Sequence, residues 1–218
     1  MTIHYNIQDI EPYINWIYFY HAWNMNGKPE AEKIKLRGDA EKMLHEWYGN
    51  YHTHAVFDVL DANSDGDDLI LNGIRIPMLR QQKLAADGLP NLCLTDFVRP
   101  VSTCIKDKAG VFATTVDTEL QKKYINDDYK RMMSQVLADR LAEGTAERMH
   151  EEVRREYWGY APNEELSMKQ THNEEYQGIR PAVGYPSLPD TSINFIISDI
   201  IDMKGIGIRL TESGMMTP

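Results

Sequence analysis

The sequence predicts a fold that mixes helices with antiparallel β-structure, on three observations. The pair Asn72-Gly73 separates two short apolar runs, Leu69 to Leu71 and Ile74 to Leu79, and supplies the positive backbone angles of a tight hairpin turn. Ala40, Met43, Leu44, Trp47 and Tyr48 recur at helical spacing as one apolar stripe. Met133, Val136, Leu137, Leu141, Met149 and Val153 do the same across a longer stretch, Asp127 to Tyr157.

In chain order, Asp9 to Met25 opens with Pro12 in a position that suits a first helical turn. Ile10, Ile14, Ile17 and His21 follow at helical spacing, which predicts a mostly buried helix. For the next helix Asp39 is the expected cap and Gly49-Asn50 the stop. His54 to Leu60 reads as a strand leading into the hairpin, and Leu92 to Val98 and Gly110 to Val116 as two further β-rich runs. In the long helix Gly144-Thr145 interrupts the apolar face and marks a candidate bend. Beyond Tyr157 the chain is punctuated by Gly159, Pro162, Gly178, Pro181, Gly184, Pro186 and Pro189, so backbone conformation is specified there rather than periodicity. Ile193 to Met203 then reads as a helix and Ile206 to Glu212 as a strand.

With 218 residues, the chain is expected to form one domain spanning 1–218, large enough to bury a core without disulfides. Cys93 and Cys104 are its only cysteines, too few for a disulfide framework and without Cys-x-x-Cys spacing. A formal charge of -10, from 33 acids against 23 bases, repels phosphate backbones, and nucleic acid is not an expected partner. No apolar run approaches the roughly 20 residues of a membrane span, and the N-terminus carries no targeting pattern, so a cytoplasmic protein without membrane contact is expected.

Three short patterns invite a site reading. Asp61-Ala-Asn63-Ser-Asp65-Gly66 matches the first half of a calcium loop, but the twelfth position is Asn72, the eighth is Asp68, and the flanks read as strands. A solvated acidic turn is expected instead. His52 and His54 fall on one face of a strand, yet no second ligand pair accompanies them and no metal is expected. Arg180, set between Gly178 and Pro181, presents a fork of donors suited to a carboxylate; on the residues alone, a structural Arg in a surface turn fits as well.

Arg180-Pro-Ala-Val-Gly-Tyr185-Pro is similar to the Arg-Pro-Ala-x-Gly-Tyr-Pro loop of the reactivation domain of cobalamin-dependent methionine synthase. Tyr157-Trp-Gly-Tyr-Ala-Pro-Asn-Glu164 resembles the same family. So do Tyr13 to Trp16, Trp23 to Lys28, Gly66 to Asp68, Leu94 to Phe97, Ala138 to Glu143 and Leu210 to Ser213, in family order over nearly the whole chain. The resemblance implies an α+β fold, a C-shaped arrangement of helices around a twisted, mainly antiparallel sheet.

It also implies a function: binding S-adenosylmethionine and supporting reductive methylation of cob(II)alamin, with an electron from a flavodoxin-type donor. Arg180 would anchor the donor's carboxylate. Pro181, Ala182, Gly184 and Tyr185 belong to the loop that would line its adenosyl and methionyl portions, and Glu143 and Glu175 match acidic positions near its cationic part. The sequence has no Asp-x-His-x-x-Gly, the cobalt-ligating motif of the family's separate corrinoid module, so the cobalamin is expected on a partner methionine synthase polypeptide. Asn15 stands where the family has a donor-contacting Asp, and the sequence ends at Met216-Thr-Pro218 where the family continues into a strand and a pocket Tyr. These departures imply weaker affinity for a cation and a site open on one side. They also motivate an alternative, a non-catalytic docking or regulatory module for a corrinoid protein.

Overall fold

A computed structural model describes residues 1–86 and 88–217. The chain begins with β1 (Thr2–Asn6), α1 (Ile7–Ile10), a 3-10 turn over Glu11–Tyr13, α2 (Trp16–Ala22) and α3 (Glu30–Trp47). β2 (His52–Asp65), β3 (Asp68–Leu71) and β4 (Ile74–Pro77) form a meander, and β5 (Asp107–Val116) follows after a long connection. The second half contains α4 (Glu119–Lys122), α5 (Asp128–Glu152), α6 (Met168–His172), α7 (Ile193–Ile200), β6 (Arg209–Leu210) and β7 (Met216–Thr217). Among the described residues, no helix is long and apolar enough to cross a membrane.

β2 is the axis of a five-stranded antiparallel sheet. One edge pairs with β5 from Thr53↔Val116 to Ala62↔Asp107; the other takes β1 against its first half and β3 against its second. Asn72 (φ 49) and Gly73 (φ 82) form the β3–β4 turn as the sequence predicts. Alternation sorts the side chains. Ala55 and Phe57 face the main core with Ile7, Ile10, Leu44, Trp47, Leu137 and Leu141 from α1, α3 and α5, whereas Val56 and Ala113 face Ile201, Met203, Ile206 and Ile208 on the opposite side. A third cluster joins Leu69, Leu71 and Ile76 to Leu188 and Ile193. The resulting arrangement, helices packed on a mainly antiparallel sheet, is the α+β class expected.

Several local expectations are corrected. The first helix is broken between Tyr13 and Trp16, because Asn15 takes an extended conformation and caps α2, its Oδ1 accepting from Ile17 N at 3.1 Å. Ile17, 65% exposed, therefore faces away from the core. α3 starts nine residues before Asp39, behind Pro29, since the polar run Glu30 to Arg37 is itself helix-forming. Leu94–Phe97 is a 3-10 turn rather than a strand: the Asp96 carboxylate accepts from Cys93 N at 2.9 Å and Leu94 N donates to Ser187 O at 2.9 Å. α5 runs through Gly144 without interruption, and the glycine serves close packing there. A Cβ at that position would lie 3.1 Å from Ile10 Cγ2.

The acidic turn is paired as well as solvated. Asp61 binds Lys106 at 2.9 Å, Asp65 and Asp68 share Arg75, and Asp67 and Asp96 share Arg80. His54 Nε2 meets Asp117 Oδ1 at 2.8 Å and its Nδ1 meets His4 Nδ1 at 2.7 Å.

Candidate functional site

Among the described residues β5 pairs only with β2, and residues along it line one wall of a cleft of ≈ 1180 Å³. α5 supplies a second wall through Arg140, Glu143, Glu147 and His150, which recur every three or four residues and so share one helical face. The segment around Trp158 and Tyr160 and the loop from Gly178 to Leu188 close the remainder. Such a volume exceeds the roughly 300–1,000 Å³ usual for small-molecule sites.

The Gly/Pro loop owes its shape to its own residues. Gly178 (φ +94) cannot carry a side chain easily: a Cβ would sit 3.2 Å from Tyr160 Oη, which donates to Gln177 O at 3.2 Å. After Pro181, Tyr185 N donates to Ala182 O at 3.0 Å and Gly184 N to Leu188 O at 2.8 Å, a compact turn requiring the positive φ of Gly184 (+99). Pro181, Ala182 and Tyr185 line the cleft, with Tyr185 exposed at its rim; Gly184 shapes the turn without lining it.

Arg180 points inward. Its side chain is 14% exposed, its Nη2 donates to Glu147 Oε1 and the Tyr176 hydroxyl stands beside the guanidinium, while Arg180 Nε and Glu147 Oε2 have no hydrogen-bond partner among the described residues. Arg140 repeats the pattern, bonding Glu143 Oε2 at 2.7 Å with its own Nε unpaired. A buried polar atom left unpaired costs about 1–3 kcal/mol. The three atoms are covered, and the residues that carry them, Arg140, Glu147 and Arg180, all line the cleft.

Behind the loop lies a second guanidinium, one that sequence reasoning missed. Arg154 is fully buried, gripped by Glu164 (Nε to Oε2 at 2.9 Å), bonded to His150 Nδ1 at 2.8 Å and seated 4.4 Å from the centre of the Tyr176 ring. This contact explains the acidic end of Tyr157–Glu164. Where α5 gives way to a π-helical turn over Val153–Tyr157, the motif loops back and returns a carboxylate to the charge at the turn's start.

Burial, with the Arg154 and Arg180 charges, pushes His150 down to about 2. His150 is neutral in the folded protein, whereas in the unfolded chain it titrates near its ordinary 6.5. The folded pKa being the lower, stability is undiminished above the unfolded value of 6.5 and falls as pH drops from there toward about 2. We expect the melting temperature to decline between about pH 6.5 and 5, before most carboxylates titrate, and the decline to flatten in His150→Gln. An unchanged slope in the variant would show that His150 is not its source.

The other predicted residues divide. Asn15 reaches the cleft, but its Oδ1 is committed to the helix cap, so it offers the site an amide NH2. Glu143 lines the cleft; burial holds its carboxyl above the usual 4.5, partly offset by Arg140. Glu175 does not line it. Glu174, at a left-handed backbone position (φ 58), does; both are exposed, and Glu175 is bonded by Asn173. Sequence register carries no sign of that reversal. Glu147 was also missed, although its spacing of four from Glu143 places both on one helical face.

An α+β domain with a large, mostly apolar cleft that carries two largely covered guanidinium groups, Arg140 and Arg180, and several carboxylates is thus the class that fold and site define. The family described as vitamin B12 dependent methionine synthase, activation domain, matches residues 6–218. A solved structure described as the MetH reactivation domain bound to AdoHcy is 36% identical, with a TM-score of 0.91 over 100% of this chain and 74% of that one. The chain belongs to the methionine synthase activation-domain family.

Proposed function

We propose that the cleft binds S-adenosylmethionine and that the chain supports reductive methylation of cob(II)alamin on a methionine synthase polypeptide acting in trans. The observation that carries this reading is the buried Arg180 guanidinium, held on a Gly/Pro loop inside a large cleft with a donor still unpaired. The similar solved domain bound to AdoHcy supports the ligand class, because AdoHcy is what S-adenosylmethionine becomes on losing its methyl group.

Arg180 would take the donor's carboxylate; Pro181, Ala182 and Tyr185 would line its body, and Glu143 would face the sulfonium. The protein's contribution is orientation and charge: it fixes the methyl group toward the acceptor and removes translational freedom from a two-body reaction. A bound corrinoid would supply a cobalt as the methyl acceptor, and a flavodoxin-type donor the one electron that acceptor needs. The sulfonium leaves as a neutral thioether.

Calorimetric titration with S-adenosylmethionine tests the ligand: saturable binding to one site is expected, and no binding up to millimolar concentration contradicts it. Pull-down with a corrinoid-loaded methionine synthase lacking this domain tests the partner, and absence of a complex counts against action in trans.

Glu143 gives the ligand a pH signature. Its anionic form attracts a sulfonium, so affinity for S-adenosylmethionine should rise as pH climbs through the range, above 4.5, where this carboxyl ionises. For S-adenosylhomocysteine, whose sulfur is uncharged, or in Glu143→Gln, the rise should be much smaller. Equal pH dependence for both ligands would remove Glu143 from the sulfonium's surroundings.

A further inference from the structure

Glu147 carries no role in the reading above, yet it is the carboxylate that the Arg180 side chain bonds, with the Tyr176 hydroxyl beside the same guanidinium. Both side chains are mostly covered, 14% and 16% exposed, and the pair keeps one spare donor, Arg180 Nε, and one spare acceptor, Glu147 Oε2. A structural ion pair in this setting would be expected to use both atoms. Resting on the S-adenosylmethionine reading of the cleft, we propose that Glu147 is a specificity-determining residue: with Arg180 it forms a charge couple that receives the α-ammonium and α-carboxylate of the donor's amino-acid end together.

The chemistry is complementary in three respects. An α-amino acid carries its two charges on one carbon, and a guanidinium and carboxylate in direct contact present the matching opposite charges side by side. The zwitterion adds no net charge, so the couple and ligand together bury none that is uncompensated. Glu143 and Glu147 stand about one helical turn, about 5.4 Å, apart along α5. The α-nitrogen and the sulfur of a methionyl group are separated by three carbons, a similar span, so two carboxylates meet two cations. With the pair closed on itself its spare atoms are covered, and the zwitterion reaches them by parting Arg180 from Glu147.

The test compares three ligands on the intact chain by calorimetry: S-adenosylmethionine, S-adenosylhomocysteine, and the S-adenosylhomocysteine analogue with hydrogen in place of the α-amino group. Glu147→Gln should weaken the first two by at least 10-fold and leave the third unchanged or tighter. Glu143→Gln should weaken S-adenosylmethionine more than S-adenosylhomocysteine. Equal losses on all three ligands in Glu147→Gln would show a merely structural role and overturn the proposal, as would no loss on any. If Glu147→Gln does not fold, Glu147→Asp, which shortens the reach by one methylene, should show the same selectivity for ligands with an α-amino group. Wild-type chain that binds none of the three would overturn the S-adenosylmethionine reading itself, whereas wild-type binding with an indifferent Glu147→Gln would overturn only the couple.

Discussion

Replacing Glu164 by alanine is expected to lower the unfolding free energy by about 3–5 kcal/mol, because it strands a guanidinium that is wholly inside the protein. Among the described residues Arg154 has no other anionic contact: His150 is neutral, and the Tyr176 ring offers only its face. The loss should extend to the site. Glu164 closes the segment carrying Tyr160, and Tyr160 holds Gln177 two residues before Ile179, so the Arg180 loop should loosen with it. Urea unfolding followed by circular dichroism measures the effect, with Glu164→Gln, which keeps the hydrogen-bonding shape, expected in between. A loss below about 1 kcal/mol, the range of an exposed pair, would mean that the burial of this ion pair is not what holds the segment.

The second large effect concerns binding. Arg180→Ala should weaken S-adenosylmethionine by about 2–5 kcal/mol, since it removes a mostly buried charged partner from the donor's carboxylate. That corresponds to roughly 30-fold or more in affinity. Arg180→Lys should recover only part of it, a point charge replacing a fork. Because the alanine variant also leaves Glu147 without its partner, some stability should be lost with the affinity, and the two are separated by titrating at a temperature where circular dichroism shows the variant folded. Unchanged affinity would place the carboxylate elsewhere.

How far the sequence revealed this protein depended on whether a feature was local. The β3–β4 hairpin was legible because Asn72-Gly73 states its own backbone angles, and α5 because its apolar residues repeat at helical spacing. The break at Asn15 was hidden, since Ile10, Ile14 and Ile17 continue the helical spacing across it while the cap that interrupts them is one hydrogen bond. Leu94–Phe97 read as a strand for a related reason: its conformation is fixed by the Asp96 side chain and by contact with Ser187, neither of which has a period.

In the site, the Arg180 loop was found through its Gly and Pro positions and its resemblance to a family. The partners of that loop were not. Glu147 and Glu164 bond guanidinium groups 33 and 10 residues away, and Glu174 rather than Glu175 lines the cleft. Charges that meet only after folding leave no spacing to read.

The most direct test is a crystal structure of the chain with S-adenosylmethionine. The account predicts the methionyl carboxylate on the Arg180 guanidinium, the sulfonium on the Glu143 side of the cleft and the adenosyl group along Pro181 to Tyr185. Ligand density elsewhere, or a donor in the cleft whose carboxylate makes no contact with Arg180, would contradict it.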